Sequence, residues 1–466
     1  MNNPRLLVIG LDCAPPSLVF DRFRAVMPNV QQLIGGGCHG RLRSIMPPIT
    51  VPAWASMFSG RDAGELGIYG FRNRMTRDYP MTTVDARALK CKSIFDFASE
   101  QGKSVASLFV PLSSPVRPIR GVCVAGCLAK GDRRADFFPR SLGDELSGLF
   151  GEYMADIDDF RTRDRASVSR ELFEMTTQHF QIATHLWKTR QPDLMAMVAI
   201  GPDRLHHLFW ECFDPEHPRF VPDDPFVGIG ARFYAHVDRL IGELVQHIDP
   251  HTNVMIVSDH GAKPMIGGFL INEWLRENGY LNLKSQPTSS TALNLDDVDW
   301  SSTTAWASGG YYARIWINKM LREPNGIVSP SHYEDLRDEL GTRLAALGGP
   351  NNESWSNFVI RPDNHFAQTN GIAPDLMIAF DDLNWRALGS VGGPSLYTER
   401  NDTGNDGCNH DWHGIYVASG PTFDAVAEPR DASLHDVFPT IANVLNLRTP
   451  HTGHGRSLSR DQRNRD

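Results

Sequence analysis

The sequence predicts an α/β fold: a mostly parallel central sheet flanked by helices on both faces, with an inserted cap subdomain. Three observations carry this. Short apolar runs read as strands buried on both faces. Stretches with apolar positions three to four residues apart alternate with them, as a parallel sheet requires. Polar, irregular segments then interrupt the alternation in the last third of the chain.

The apolar runs are Leu6–Leu11, Val105–Val110, Leu194–Ile200, Val254–Val257 and Leu376–Phe380. The four residues after Met1, Asn-Asn-Pro-Arg, lead into the first run without a small-residue cleavage pattern, so this run is expected to be the first strand. Helical periodicity covers Lys92–Glu100, Glu171–Thr189, Arg232–Ile248, Tyr333–Leu347 and Ser433–Leu445. A Ser/Thr-rich stretch from Asn282 to Asp299 and irregular stretches over Leu347–Asn370 and Ser390–Asn409 read as loops of the cap. The expected organisation is a catalytic domain over 1–450 with a cap inserted at roughly 282–408, then a polar tail over 451–466 that frays.

At 466 residues the chain is long enough to bury a core without disulfides or a structural metal. No run approaches the roughly 18 apolar residues of a membrane span, so no membrane partner is expected. A net charge of -9 offers no footprint for a nucleic-acid polymer, yet leaves room for a local basic pocket that takes a small phosphate. Seven scattered cysteines without a CxxC pair fit a reducing cytoplasm.

Candidate chemistry gathers just after the predicted strands, where open α/β sheets place ligands. Asp12 ends the first strand, and Asp259-His260-Gly261 follows Val254–Ser258. Alone, Asp12 would read as a cap or turn carboxylate. Asp203 and His207 follow the strand ending at Ile200; on a helix begun near Pro202 they share a face and can grip one ion, with His206 as the rival. Thr50 stands before a helix containing Pro52 and ending at Gly60, where free N–H groups would stabilise an alkoxide and a phosphate oxygen, although Thr is also a common cap. In Asn409-His410-Asp411-Trp412-His413-Gly414, His413 is preferred over His410 because Gly414 would let the backbone pass close to a metal.

In order, these pieces are an Asp after strand one, Thr in a P-x-x-T-x-P-x-W segment, D-x-x-x-H, S-D-H-G and H-G. The chain resembles the type I phosphodiesterase/nucleotide pyrophosphatase family of the alkaline phosphatase superfamily, in its prokaryotic branch, over nearly its whole length. The resemblance implies an alkaline phosphatase-like fold and two divalent ions, zinc first and manganese as the alternative. One ion would sit on Asp12, Thr50, Asp259 and His260, the other on Asp203, His207 and His413. It also implies a hydrolase with Thr50 as nucleophile, a phosphothreonine intermediate and a small phosphoester substrate, a nucleotide among the candidates.

The chain departs from the family where an Asn downstream of the Thr contacts a phosphate oxygen. The segment here reads Gly67-Ile68-Tyr69-Gly70-Phe71-Arg72-Asn73-Arg74, so Arg72, Asn73 or Arg74 is expected to replace it. Two other readings use the same fold: cleavage of a C–P bond as in phosphonoacetate hydrolase, and a catalytically silent binder of a phosphorylated ligand.

Overall fold

The computed structural model describes residues 4–129, 132–450 and 453–460. Its centre is a nine-stranded sheet. In chain order the strands are β1 (Arg5–Leu11), β2 (Gly37–Arg43), β3 (Val105–Val110), β4 (Gly121–Ala125), β5 (Phe137–Phe138), β6 (Leu194–Ala199) and β7 (Thr252–Val257). After a long excursion β8 (His413–Ser419) and β9 (Ala432–Ser433) complete it. The spatial order is β9-β2-β8-β7-β1-β6-β3-β4-β5. β1 lies in the middle, parallel to β6 and β7, and only β8 and β5 run antiparallel to their neighbours.

Alternation along β1 divides the core in two. Leu7, Ile9 and Leu11 face a cluster built with the helices Arg165–Arg190, Gly201–Phe213 and Ile229–Val245. Leu6 and Val8 face the other side, where Trp54, Phe58, Ile94 and Phe438 pack. Gly10 has no alternative, because a Cβ there would lie 2.5 Å from the Trp54 ring.

Between β7 and β8 the chain builds smaller sheets around a third apolar cluster, which runs from Phe269 to Val391 and recruits Tyr79 from the first part of the chain. Leu376–Ala379, expected among the strands of the parallel sheet, lies here instead. It pairs antiparallel with Ala313–Ile317 and Phe358–Ile360, since its apolar run is buried by this local core. Conversely β2, a mixed segment with exposed Arg41 and Arg43, carries no strong periodic signal yet joins the central sheet. The tail's described part, 453–460, is held rather than frayed: the Leu458 amide donates to Thr440 Oγ1 at 2.9 Å and the Arg456 amide to Asp436 Oδ1 at 2.8 Å. Residues 1–3, 451–452 and 461–466 lie outside the described residues.

Candidate metal centre

Parallel β1, β6 and β7 end side by side, so the residues after them converge. Asp12, Asp203, Asp259, His207, His260 and His410 are all buried at this edge, together with Thr50. Cys13 takes a left-handed backbone (φ 64°), and this turn lets its amide donate to Asp259 Oδ1 at 3.2 Å while the Ala14 amide donates to Ser258 Oγ at 2.8 Å.

Each carboxylate is anchored by one oxygen and presents the other. Asp12 Oδ2 accepts from Trp54 Nε1 at 2.7 Å, Asp259 Oδ1 from the Cys13 amide, and Asp203 Oδ2 from Arg204. Asp259 Oδ2 and Asp203 Oδ1 are buried without a hydrogen-bond partner. The histidines follow the same plan. His207 Nδ1 bonds Asp406 Oδ1 at 2.9 Å, His260 Nδ1 the Gly261 carbonyl at 3.1 Å, and His410 Nδ1 the Pro48 carbonyl at 2.9 Å. These acceptors place the ring proton on Nδ1 and leave each Nε2 with a lone pair, the arrangement of metal-binding imidazoles.

The presented atoms fall into two groups. His207 Nε2 is 3.3 Å from Asp203 Oδ1 and from His410 Nε2, and His410 Nε2 is 3.6 Å from Asp203 Oδ1. Thr50 Oγ1 is 3.4 Å from Asp12 Oδ1 and from His260 Nε2, which in turn is 3.6 Å from Asp12 Oδ1 and 3.2 Å from Asp259 Oδ2. A tetrahedron with metal–ligand bonds of 2.0–2.1 Å has edges of about 3.3–3.4 Å, so both groups fit a tetrahedral cation. The His260 and His410 rings stack at 3.9 Å and join the groups.

Electrostatics point the same way. Burial, reinforced by Asp203, pushes the Asp12 carboxyl well up, and burial with Asp12 does the same to Asp259. Two such carboxylates stay ionised together only beside a cation. Burial acts upward on Asp203 too, but His207 and Arg204 outweigh it and hold that carboxyl well down. Burial lowers His410 to about 4 and His260 well below the usual range, so both rings are neutral and able to ligate. The Cys13 sulfur lies within 4.8 Å of ligating atoms of Asp203, His260 and His410, but burial pushes its thiol well up and it bonds the Gly261 carbonyl. The donors on offer are therefore nitrogen and oxygen.

Thr50 opens the helix Thr50–Ser59, and Ile49 before it makes no side-chain cap. The Thr50 hydroxyl is directed at Asp12 and His260 rather than at the helix amides. One turn on, Trp54 reaches the other oxygen of Asp12, so one helix positions two members of the site.

Three expectations are corrected. His413 is half-buried at the start of β8, paired in register with Arg43, and its charged neighbours are Asp411, Arg41, Asp431 and Arg43. Gly414 does admit a close approach, but to Ser258, whose carbonyl oxygen would lie 2.5 Å from a Cβ there. His410 occupies the cluster because a short ladder pairs it with Ala262 and the Pro48 carbonyl orients its ring. Arg74 is wholly buried in an ion pair with Glu323, in the third apolar region. Asn73 accepts from the Tyr69 amide at 2.7 Å and donates to the Gly70 carbonyl at 2.8 Å, which closes its own loop. Arg72 is exposed and lines a cleft beside the cluster. His206, the rival to His207, turns to the Tyr234 hydroxyl at 3.0 Å.

Sequence reasoning missed the anchoring residues Trp54, Arg204 and Asp406, and Tyr311, whose hydroxyl is 3.0 Å from His207 Nε2 and whose ring stacks on His410 at 3.5 Å. Trp54 was findable from its four-residue spacing to Thr50. Asp406 carries no local signal: it sits in an irregular segment 199 residues from its partner.

A large, mostly parallel sheet sandwiched by helices, with carboxylates and imidazoles gathered at its strand ends, defines an alkaline phosphatase-like fold with a buried cluster of potential metal ligands. The sequence signature of the type I phosphodiesterase / nucleotide pyrophosphatase family matches residues 6–415, and the chain belongs to that family of hydrolases. It is 25% identical over 269 residues to an uncharacterized pyrophosphatase/phosphodiesterase of Schizosaccharomyces pombe; the match spans 55% of this chain and 45% of that protein. Among solved structures it resembles phosphonoacetate hydrolase from Sinorhizobium meliloti in complex with phosphonoformate (TM-score 0.60, 17% identity, 96% of both chains). It also resembles human ectonucleotide pyrophosphatase/phosphodiesterase 5 (TM-score 0.57, 14% identity, 96% of both chains). The murine form of the latter, inactive and in complex with AMP, aligns with a TM-score of 0.54 at 13% identity over 96% of both chains. At these identities the likeness concerns the fold.

Proposed function

We propose that the chain is a metal-dependent phosphodiesterase that hydrolyses a nucleotide or another small phosphodiester through a phosphothreonine on Thr50. The observation that carries this reading is the pair of ligand groups with tetrahedral spacing, one of which contains the Thr50 hydroxyl. Asp12, Thr50, Asp259 and His260 would hold one divalent ion, and Asp203, His207 and His410 the other. Zinc suits this nitrogen and oxygen set best, with manganese the alternative. When bound, the ions supply Lewis acidity toward phosphoryl oxygens and neutralise the buried carboxylates.

The protein's own contribution is placement. Asp12 Oδ1 accepts the Thr50 hydroxyl at 3.4 Å and so aims Oγ1, whose proton is given up to solvent in exchange for the one the departing alcohol takes. Thr50 Oγ1 attacks phosphorus, the opposite P–O ester bond breaks, and the alcohol departs with a proton. Water then cleaves the Oγ1–P bond and restores Thr50, giving net retention at phosphorus. Burial of the whole group excludes bulk water from the attacking oxygen. All seven cysteines are unpaired thiols, which supports work in a reducing compartment such as the cytoplasm. Among the described residues no helix is long and apolar enough to cross a membrane.

Turnover of bis(p-nitrophenyl) phosphate tests this reading. The protein should release p-nitrophenolate, lose that activity on chelation and regain it with zinc or manganese. Undiminished turnover after complete metal removal would contradict it.

A further inference from the structure

A cleft of about 330 Å³ opens beside the ligand cluster. Its inner wall is continuous with the site: Ile49, the residue before Thr50, lines it, and so does Tyr311, whose ring covers His410. Four arginines also line it, Arg72, Arg161, Arg314 and Arg386. Asp402 is the one acidic residue in the lining, and Asp406 stands behind Arg161 and Arg386. Four guanidinium groups against those two carboxylates leave a surplus of two positive charges, in a chain whose net charge is -9.

The arginines are held in place rather than neutralised one for one. Arg161 and Arg386 share the single Asp406, at 2.8 and 2.7 Å, and Arg386 lies over the Tyr311 ring at 4.8 Å. Arg161 also donates to the Tyr311 hydroxyl at 3.2 Å. Arg314 is fixed by the Arg72 carbonyl at 2.6 Å and by Ser308 Oγ at 3.2 Å, neither of which carries charge. Arg72 spends one Nη on the Met81 carbonyl at 3.1 Å and leaves its exposed guanidinium at the rim. Prepositioned guanidinium forks match planar or tetrahedral oxyanions through paired hydrogen bonds.

We infer that this cleft selects phosphodiesters whose organic part carries a second anionic group, a carboxylate or a phosphate, docked on the arginines while the reacting phosphorus faces Thr50. The inference rests on the phosphodiesterase reading above and narrows its substrate class. A neutral alcohol moiety would leave the surplus charge unanswered, whereas a second oxyanion gains charge-assisted hydrogen bonds from donors already ordered.

Two probes with a common leaving group decide it: p-nitrophenyl phenyl phosphate and p-nitrophenyl 4-carboxyphenyl phosphate. The wild type should favour the carboxylated ester in kcat/KM by roughly tenfold or more, the worth of one or two charged hydrogen bonds. Arg72→Ala should collapse that ratio, and Arg72→Lys should retain part of it. Replacing the carboxylate by a phosphate ester on the same ring separates the two anion types, and the higher ratio names the preferred one. Turnover of the phenyl and carboxyphenyl esters at equal kcat/KM overturns this inference alone, as does a ratio that Arg72→Ala leaves intact. Turnover of no ester overturns the phosphodiesterase reading and this inference with it.

Discussion

Asp12, Asp203 and Asp259 each have two oxygens and His207, His260 and His410 each two nitrogens, and in every case the anchored end decides where the other points. Asp406 on His207 and Trp54 on Asp12 show the logic, in which a neighbour outside the cluster orients a side chain within it. Much of this was legible in sequence: Asp12 and Asp259-His260 end apolar strands, and Asp203 and His207 share a helix face by their spacing. The choice between His410 and His413 was not, because it depends on a four-residue ladder and on a carbonyl 362 residues away. His410→Ala should therefore lose about one equivalent of bound metal, while His413→Ala keeps the wild-type content. Elemental analysis of the two purified variants checks this, and the reverse pattern would restore His413 as the ligand.

At the scale of elements, the helix Thr50–Ser59 places both the hydroxyl and the Trp54 anchor, and its first turn follows from Pro52 and its end from Gly60 in the left-handed conformation (φ 68°). The neighbouring loop shows where pattern reading fails. A cluster reading Arg72-Asn73-Arg74 looks uniformly suited to phosphate, yet the three side chains go to three different places and only Arg72 reaches the cleft. Arg74 instead pins this loop to Glu323 beneath Trp306, at 5.3 Å from that ring. Arg74→Ala should cost ~3 kcal/mol of stability, because a buried carboxylate loses one of its cations while Arg322 remains. Thermal or urea unfolding measures the loss, and kcat/KM of the folded protein should change little. A variant of unaltered stability but sharply raised KM would return Arg74 to the substrate.

For the whole molecule, the central sheet was legible because β6 is apolar throughout and β1, β3 and β7 are interrupted only by Arg5, by Ser107 and by Thr252 with Asn253, as suits strands covered on both faces. β2 was not, since its alternating exposure leaves only Gly37, Cys38, Gly40 and Leu42 buried, and β9 is only two residues long. Leu376–Ala379 misled for the opposite reason: burial alone does not say which core does the burying. What the assembled fold achieves is the convergence of strand ends from residues 12, 203 and 259 at one buried edge, where the Thr50 hydroxyl meets Asp12 and His260. The central claim is that this hydroxyl takes the phosphoryl group. Rapid acid quench of the metal-loaded protein turning over a phosphodiester, followed by peptide mass spectrometry, measures that transfer directly. The account predicts phosphate on the peptide containing Thr50 and none in Thr50→Ala, which should also be inactive. An unphosphorylated Thr50 peptide across the time course, with Thr50→Ala still turning over near the wild-type rate, would contradict it and leave direct attack by water.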